Sequence, residues 1–155
     1  RPNMFDNSIK VPTIIRWPGV LKPGTVDKST YSNLDWFPTV LAMAGVEWNS
    51  DAVIRGRNMV PRLLGQEPSW DNSYYAEYST KHQSRTHMRM NSNGKWKLIR
   101  DFNNPGRDEL YDLMNDPAES NNLIEFESEM VQAVRSQLER ELLSRMQAVG
   151  DEVHR

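Results

Sequence analysis

Lys81, His82, Arg85, His87 and Arg89 put five basic side chains into nine residues. Such a run offers an anionic ligand both charge and hydrogen-bond donors. A solvated loop with ordinary surface charge has the same composition, and both readings stand at this level. Little else in the 155 residues has the spacing of a reaction centre. His82, His87 and His154 are not spaced to bring two imidazoles onto one helical face as metal ligands. No Gly-rich phosphate loop, Gly-x-Ser-x-Gly elbow or paired acidic cluster on a predicted loop is present. The absence of cysteine removes disulfides, thiolate ligands and thiol nucleophiles together.

Charge and composition bound the remaining classes. Nineteen Lys and Arg against 21 Asp and Glu give a net charge of -2, which argues against a nucleic-acid or anionic-membrane surface. With 37% hydrophobic and 26% charged residues and only short apolar runs, the sequence reads as a globular protein without a bilayer span. Arg1-Pro2-Asn3-Met4 carries neither an initiator methionine nor a leader pattern, and reads as the interior of a longer polypeptide.

The elements that would position these residues follow from periodicity. Val11-Pro12-Thr13-Ile14-Ile15-Arg16-Trp17, closed by Pro18-Gly19, is a nearly continuous β-branched and aromatic run, which predicts a parallel strand buried on both faces. Asp35 is placed to cap a helix over Trp36 to Ala44, with Pro38 in its first turn and Gly45 as its left-handed exit. Trp36, Phe37, Val40, Leu41 and Ala44 would form its apolar stripe. A short helix over Asn58 to Leu64 ends at Gly65, and a polar connector runs from Gln66 to Ser73.

Beyond the connector the pattern changes to strands. Tyr74 to Tyr78 is one, and His87 to Met90 and Lys95 to Phe102 flank a two-residue Asn93-Gly94 hairpin turn. Glu109 to Leu113 alternates as another strand. Met130, Val134, Leu138, Leu142 and Met146, with Val131 and Val149 beside them and Gly150 after, predict a long helix lying on the sheet. The chain is thus expected to be α/β at first and α+β in its C-terminal part.

Several segments together resemble one family. Asn3 to Gly19, with Phe5-Asp6, Lys10, Val11-Pro12 and Trp17-Pro18-Gly19, looks like the start of the C-terminal half of sulfatases. Asp35-Trp36-Phe37-Pro38-Thr39 with Ala44-Gly45 resembles the Asp-x-Phe-Pro-Thr helix of that family. Gly56-Arg57, Leu63-Leu64-Gly65, Lys95 to Ile99, Glu109 to Leu113, Asn115 to Glu119 and Asn121-Asn122-Leu123 resemble its C-terminal subdomain in order. The resemblance implies an alkaline-phosphatase-like fold. Residues 1–65 would be the last piece of the α/β catalytic domain, and residues 66–155 a C-terminal subdomain of small antiparallel sheet plus helix.

What the family needs for chemistry is not found here. Sulfatases use a formylglycine made from Cys or Ser within Cys/Ser-x-Pro-x-Arg, with Asp and Asn ligands for a divalent cation, usually calcium. Neither the motif nor any cysteine occurs in the sequence. The resemblance therefore implies sulfate ester hydrolysis by a longer parent, with no catalytic residue and no metal or cofactor expected in this portion, which alone would be inactive. Arg1, four residues before Phe5, falls where many members carry a sulfate-contacting lysine; a terminal arginine without a role is the other reading. His82, Arg85 and His87 lie in a loop that can face the substrate in the family. Lys10 is either a further cation for substrate or the ion-pair partner of Asp6.

The implied ligand is a sulfated small molecule or glycan. A phosphonate or phosphate ester hydrolase of the same superfamily, and a non-catalytic module binding sulfated glycans, are the alternatives. A periplasmic or secreted location is compatible with the family. Self-association through a sheet edge left open at Val11 to Trp17 is expected of an isolated piece.

Overall fold

The structure, a computed structural model, describes residues 2–49, 51–81 and 85–153. Two compact units emerge, one of residues 1–12 with 73–155 and one of residues 13–72. The larger unit is built on four antiparallel strands in sequential order: β1 (Tyr74–Lys81), β2 (Arg85–Ser92), β3 (Trp96–Asp101) and β4 (Glu109–Asp112). The strand pattern read from sequence is therefore present, with β1 and β2 extended towards their shared loop. The hairpin between β2 and β3 turns one residue later than expected. Asn93 N–H bonds the Trp96 carbonyl at 3.2 Å, which leaves Gly94 and Lys95 at the corner, Gly94 at φ 82°. The Asn93 side chain accounts for the shift, because its Oδ1 accepts from Lys95 N at 3.0 Å and Trp96 N at 2.8 Å.

The sheet has two covered faces, as the period of two requires. Trp96, Leu98 and Leu110 point to one, where Val131, Leu138, Leu142 and Met146 of helix α4 (Glu129–Val149) pack. Ser128 caps α4 by accepting from Val131 N at 3.2 Å, and Gly150 ends it at φ 72°. Met130, expected in the apolar stripe, is 58% exposed. A four-residue step overshoots the helical repeat by about 40° each time, so a row of such steps winds off the buried face. On the other face, Met88, Met90, Ile99 and Tyr111 close around Met4, with Phe5 and Ile9 beside it. Met4 leads into the single-turn helix α1 (Asp6–Ile9), which the hydrophobic pattern does not foretell.

Unit 13–72 is held by polar ties around helix α2 (Trp36–Ala44) and helix α3 (Val60–Leu63). Pro38 and Gly45 play the parts expected of them, Gly45 at φ 67°. Asp35 does not cap α2 with its side chain. It closes a capping box with Ser32 over the 3-10 turn Asn33–Asp35 and accepts from Arg57 N at 2.8 Å. Thr39, buried in α2, receives Met59 N at 2.9 Å. Gly56 has no room for a side chain, since a Cβ there would lie 1.9 Å from the Leu34 carbonyl oxygen.

The parallel strand expected at Val11 to Trp17 is not formed. Those residues run without strand pairing and Ile14 is 93% exposed. A parallel strand exists only between hydrogen-bonded neighbours. The described residues supply none for this run, and the sheet edge expected there is absent with it. The apolar stripe of α2 is also largely open, with Phe37 and Val40 exposed.

Candidate functional site

Antiparallel pairing brings most of the basic run to one end of the β1–β2 hairpin. Lys81 faces Arg85 across the ladder, Thr80 faces Thr86 and Ser79 faces His87. Lys81 and Arg85 are exposed. Buried Asp101 supports the base of this end by accepting Thr86 Oγ1 at 2.6 Å and His87 N at 3.2 Å. Burial raises the Asp101 carboxyl, but the hydrogen bonds from Thr86, Asn104, His87 and Asn103 outweigh it and hold the group below its ordinary range. Asn103 and Asn104 amides cap the Arg85 carbonyl at 3.2 and 2.9 Å. The described residues at this end, 79–81 and 85–87, thus form a braced platform that carries exposed Lys81 and Arg85.

Of the expected residues, the platform joins Arg85 and His87, with Lys81. The His87 ring Nδ1 lies 3.1 Å from Ser79 Oγ. Arg1 and His82 lie outside the described residues. Arg89, fifth in the basic run, belongs to the scaffold. It is buried, ion-paired through Nε to Asp151, with Nη2 at 3.2 Å from the same carboxylate and Nη1 at 3.0 Å from Ser79 Oγ. The Arg89 hydrogen bond brings the Asp151 carboxyl down to about 2, against the opposing effect of burial, with help from Val153 N and the Tyr75 hydroxyl. Alternation puts Arg85, His87 and Arg89 on one face, opposite to Met88 and Met90; Arg89 differs because it meets Asp151 there.

The sequence reading missed a second charged centre. Lys97 is fully buried, with Nζ 2.6 Å from Asp6 Oδ1 and 2.7 Å from Glu119 Oε1. Lys10 pairs with Asp6 Oδ2 at 2.5 Å, the ion pair that was one of its two readings. A lysine at strand spacing between Trp96 and Leu98 was the available signal, since it must point to the face opposite theirs.

A cleft of about 500 Å³ between β3 and α4 is lined by Leu98, Arg100, Asp108, Ile124, Arg135 and Glu139 among others. Its arginines are committed: Arg100 to Asp108 at 2.6 Å and to Glu139, and Arg135 to the Ile124 carbonyl at 2.9 Å. Among the described residues no three His, Asp or Glu side chains form a group able to hold a metal ion. None of the described helices is long and apolar enough to cross a membrane.

The larger unit is thus a four-stranded antiparallel sheet in sequential order, packed on one face by a C-terminal helix. Residues 1–148 match the family model described as N-sulphoglucosamine sulphohydrolase, C-terminal, and the chain belongs to that sulfatase family. It is 37% identical over 100 residues to steryl-sulfatase of Rattus norvegicus, covering 64% of this chain and 17% of that protein. It is 34% identical over 126 residues to N-acetylglucosamine-6-O-sulfatase of Bacteroides thetaiotaomicron, covering 77% of this chain and 22% of that one. A protein solved in complex with its substrate D-glucosamine-2-N,6-O-disulfate superposes with a TM-score of 0.70 at 30% identity, over 90% of this chain and 28% of that chain. A sulfatase from Bacteroides fragilis shares the fold, with a TM-score of 0.72 at 20% identity over 89% of this chain and 29% of its own. The chain therefore spans between 17% and 29% of the length of these relatives.

Proposed function

We propose that the chain is the C-terminal portion of a sulfatase that hydrolyses sulfate esters, acting there as scaffold and as one wall of the substrate entrance. The match over residues 1–148 carries this reading. On it, residues 1–65 continue the α/β catalytic domain and residues 66–155 form the C-terminal subdomain. The nucleophile and a divalent cation, calcium by resemblance, belong to the portion not contained in this sequence. The cation would make bringing an anionic sulfate into the site less costly. The described residues do not fit it, since they contain no group of His, Asp or Glu able to hold a metal ion.

The braced hairpin end is the proposed contact of this portion with substrate. Arg85 and His87, together with Arg1 and His82, would offset sulfate charge and read the attached sugar or aryl group. Exposed Lys81 and Arg85, paired across the ladder with the Arg85 carbonyl held by two side-chain amides, support that role. The relatives' printed substrates point to a sulfated glucosamine as the first ligand to try.

The test is sulfate release by the longer polypeptide from glucosamine 6-sulfate and 4-nitrophenyl sulfate, with the matching phosphate and phosphonate esters in parallel. Preference for sulfate esters, with KM raised several-fold by Arg85→Ala and His87→Ala and kcat little changed, supports the reading. Preference for phosphoryl substrates would replace it with the phosphate or phosphonate ester activity. Unchanged KM in both variants would remove the hairpin from the site.

A further inference from the structure

A buried cluster of charges lies outside the hairpin platform. Lys97 Nζ is enclosed at 0% side-chain exposure, with the carboxylates of Asp6 and Glu119 at 9% and 2%. These residues are 91 and 22 positions from Lys97, so the cluster joins three distant parts of the chain. Further bonds close it: Asp6 N–H donates to Glu119 Oε2 at 2.5 Å, and the Tyr74 hydroxyl donates to Asp6 Oδ1 at 3.2 Å. Among the described residues, Asp6 is thus the member of the 2–12 segment that bonds Lys97, Glu119 and Tyr74.

A second observation points to the same group. Glu119 is the single non-glycine residue with positive φ among the described residues, at 54°. A left-handed glutamate is strained, and such a conformation persists when surrounding contacts over-determine it. Here the two carboxylate oxygens serve Lys97 and the Asp6 amide, one each, while Glu119 N bonds the Asp116 carbonyl at 3.1 Å.

We propose that Lys97, Asp6 and Glu119 form a charge latch that seats residues 2–12 on the second face of the sheet. The latch, more than the apolar contacts of Met4 and Phe5, sets the position of this segment. Met4, Phe5 and Ile9 meet a cluster rich in methionine, which adapts to many partners and specifies register weakly. The ion cluster tolerates one register only, because a displaced Asp6 leaves Lys97 and Glu119 buried without their full set of partners. Residues 2–12 are thereby fixed to the sheet while leading directly into residue 13, the first of the other unit.

Native-state hydrogen exchange of this chain tests the latch independently of any enzymatic activity. Lys97→Met is expected to speed exchange at the amides of Asp6, Ile9 and Lys10 by at least about tenfold, with the amides of β2 and β3 little changed. The triple variant Lys97→Met, Asp6→Asn, Glu119→Gln removes all three charges and is expected to restore most of the protection, since replacing a whole buried cluster is far milder than orphaning part of it. Unchanged exchange in Lys97→Met would overturn the latch. So would a triple variant as open as the single one. If Lys97→Met unfolds the whole unit, Asp6→Asn decides: a rise confined to residues 2–12 supports the latch, and none, or a uniform one, overturns it.

Discussion

Replacing Asp151 by Asn isolates one buried ion pair at the end of α4. The Asp151 carboxyl is 6% exposed and receives Arg89 through two nitrogens and the Tyr75 hydroxyl at 3.2 Å. Its value of about 2 lies below the ordinary 3.8, chiefly through Arg89. At about 1.4 kcal/mol per tenfold the difference corresponds to roughly 2 kcal/mol, and water at the helix end trims this to about 1–2 kcal/mol. Because the folded value is depressed, the stabilisation is complete above the ordinary value and disappears as pH falls from about 4 towards 2. Asp151→Asn is therefore expected to speed exchange of the β2 and β3 amides by roughly 5–30-fold at neutral pH. The gap between the two proteins should narrow as the pH drops through that window, because the wild-type carboxyl is then being protonated as well. Equal exchange at neutral pH, or a gap that stays constant down to pH 2, would refute the assignment of this pair as a stabilising one.

Two further outcomes follow from packing. Leu138→Ala empties a fully buried position on the α4 face and should cost about 2–5 kcal/mol in urea unfolding, against less than about 1 kcal/mol for Leu143→Ala on the exposed side. Gly56→Ala drives a Cβ into the Leu34 carbonyl, a backbone atom that cannot rotate away. Limited proteolysis should then cut residues 13–72 faster while residues 73–153 stay resistant, with a cost at or above the upper end of the roughly 1–3 kcal/mol usual for overpacking.

Elements whose evidence is local were legible in the sequence. Helix α4 follows from its apolar spacing, and the β2–β3 hairpin from Asn93-Gly94 between alternating runs. The turn still slipped by one residue, because the Asn93 side chain bonds two amides and closes the corner itself. Val11 to Trp17 misled because a continuous apolar run describes a strand only when neighbours pair with it, and pairing is a property of the whole sheet. The second face of the sheet was invisible for a similar reason: its cover, Met4 to Ile9, lies some 70 residues before the strands it packs on. Lys97 therefore received no role from the sequence, though alternation sends it to the face where Asp6 and Glu119 wait. In the basic run, Arg89 shares a strand face with Arg85 but is buried against Asp151, a partner 62 residues away.

The central claim is a division of labour, with the reacting groups on a preceding portion and positioning on this one. Inorganic sulfate release from 4-nitrophenyl sulfate and glucosamine 6-sulfate, measured side by side for the 155-residue chain and for the polypeptide extended through the preceding coding sequence, tests it most directly. The account predicts turnover by the extended polypeptide and none above the blank for the chain alone. Turnover by the purified 155 residues, scaling with their concentration and unaffected by further purification, would contradict it.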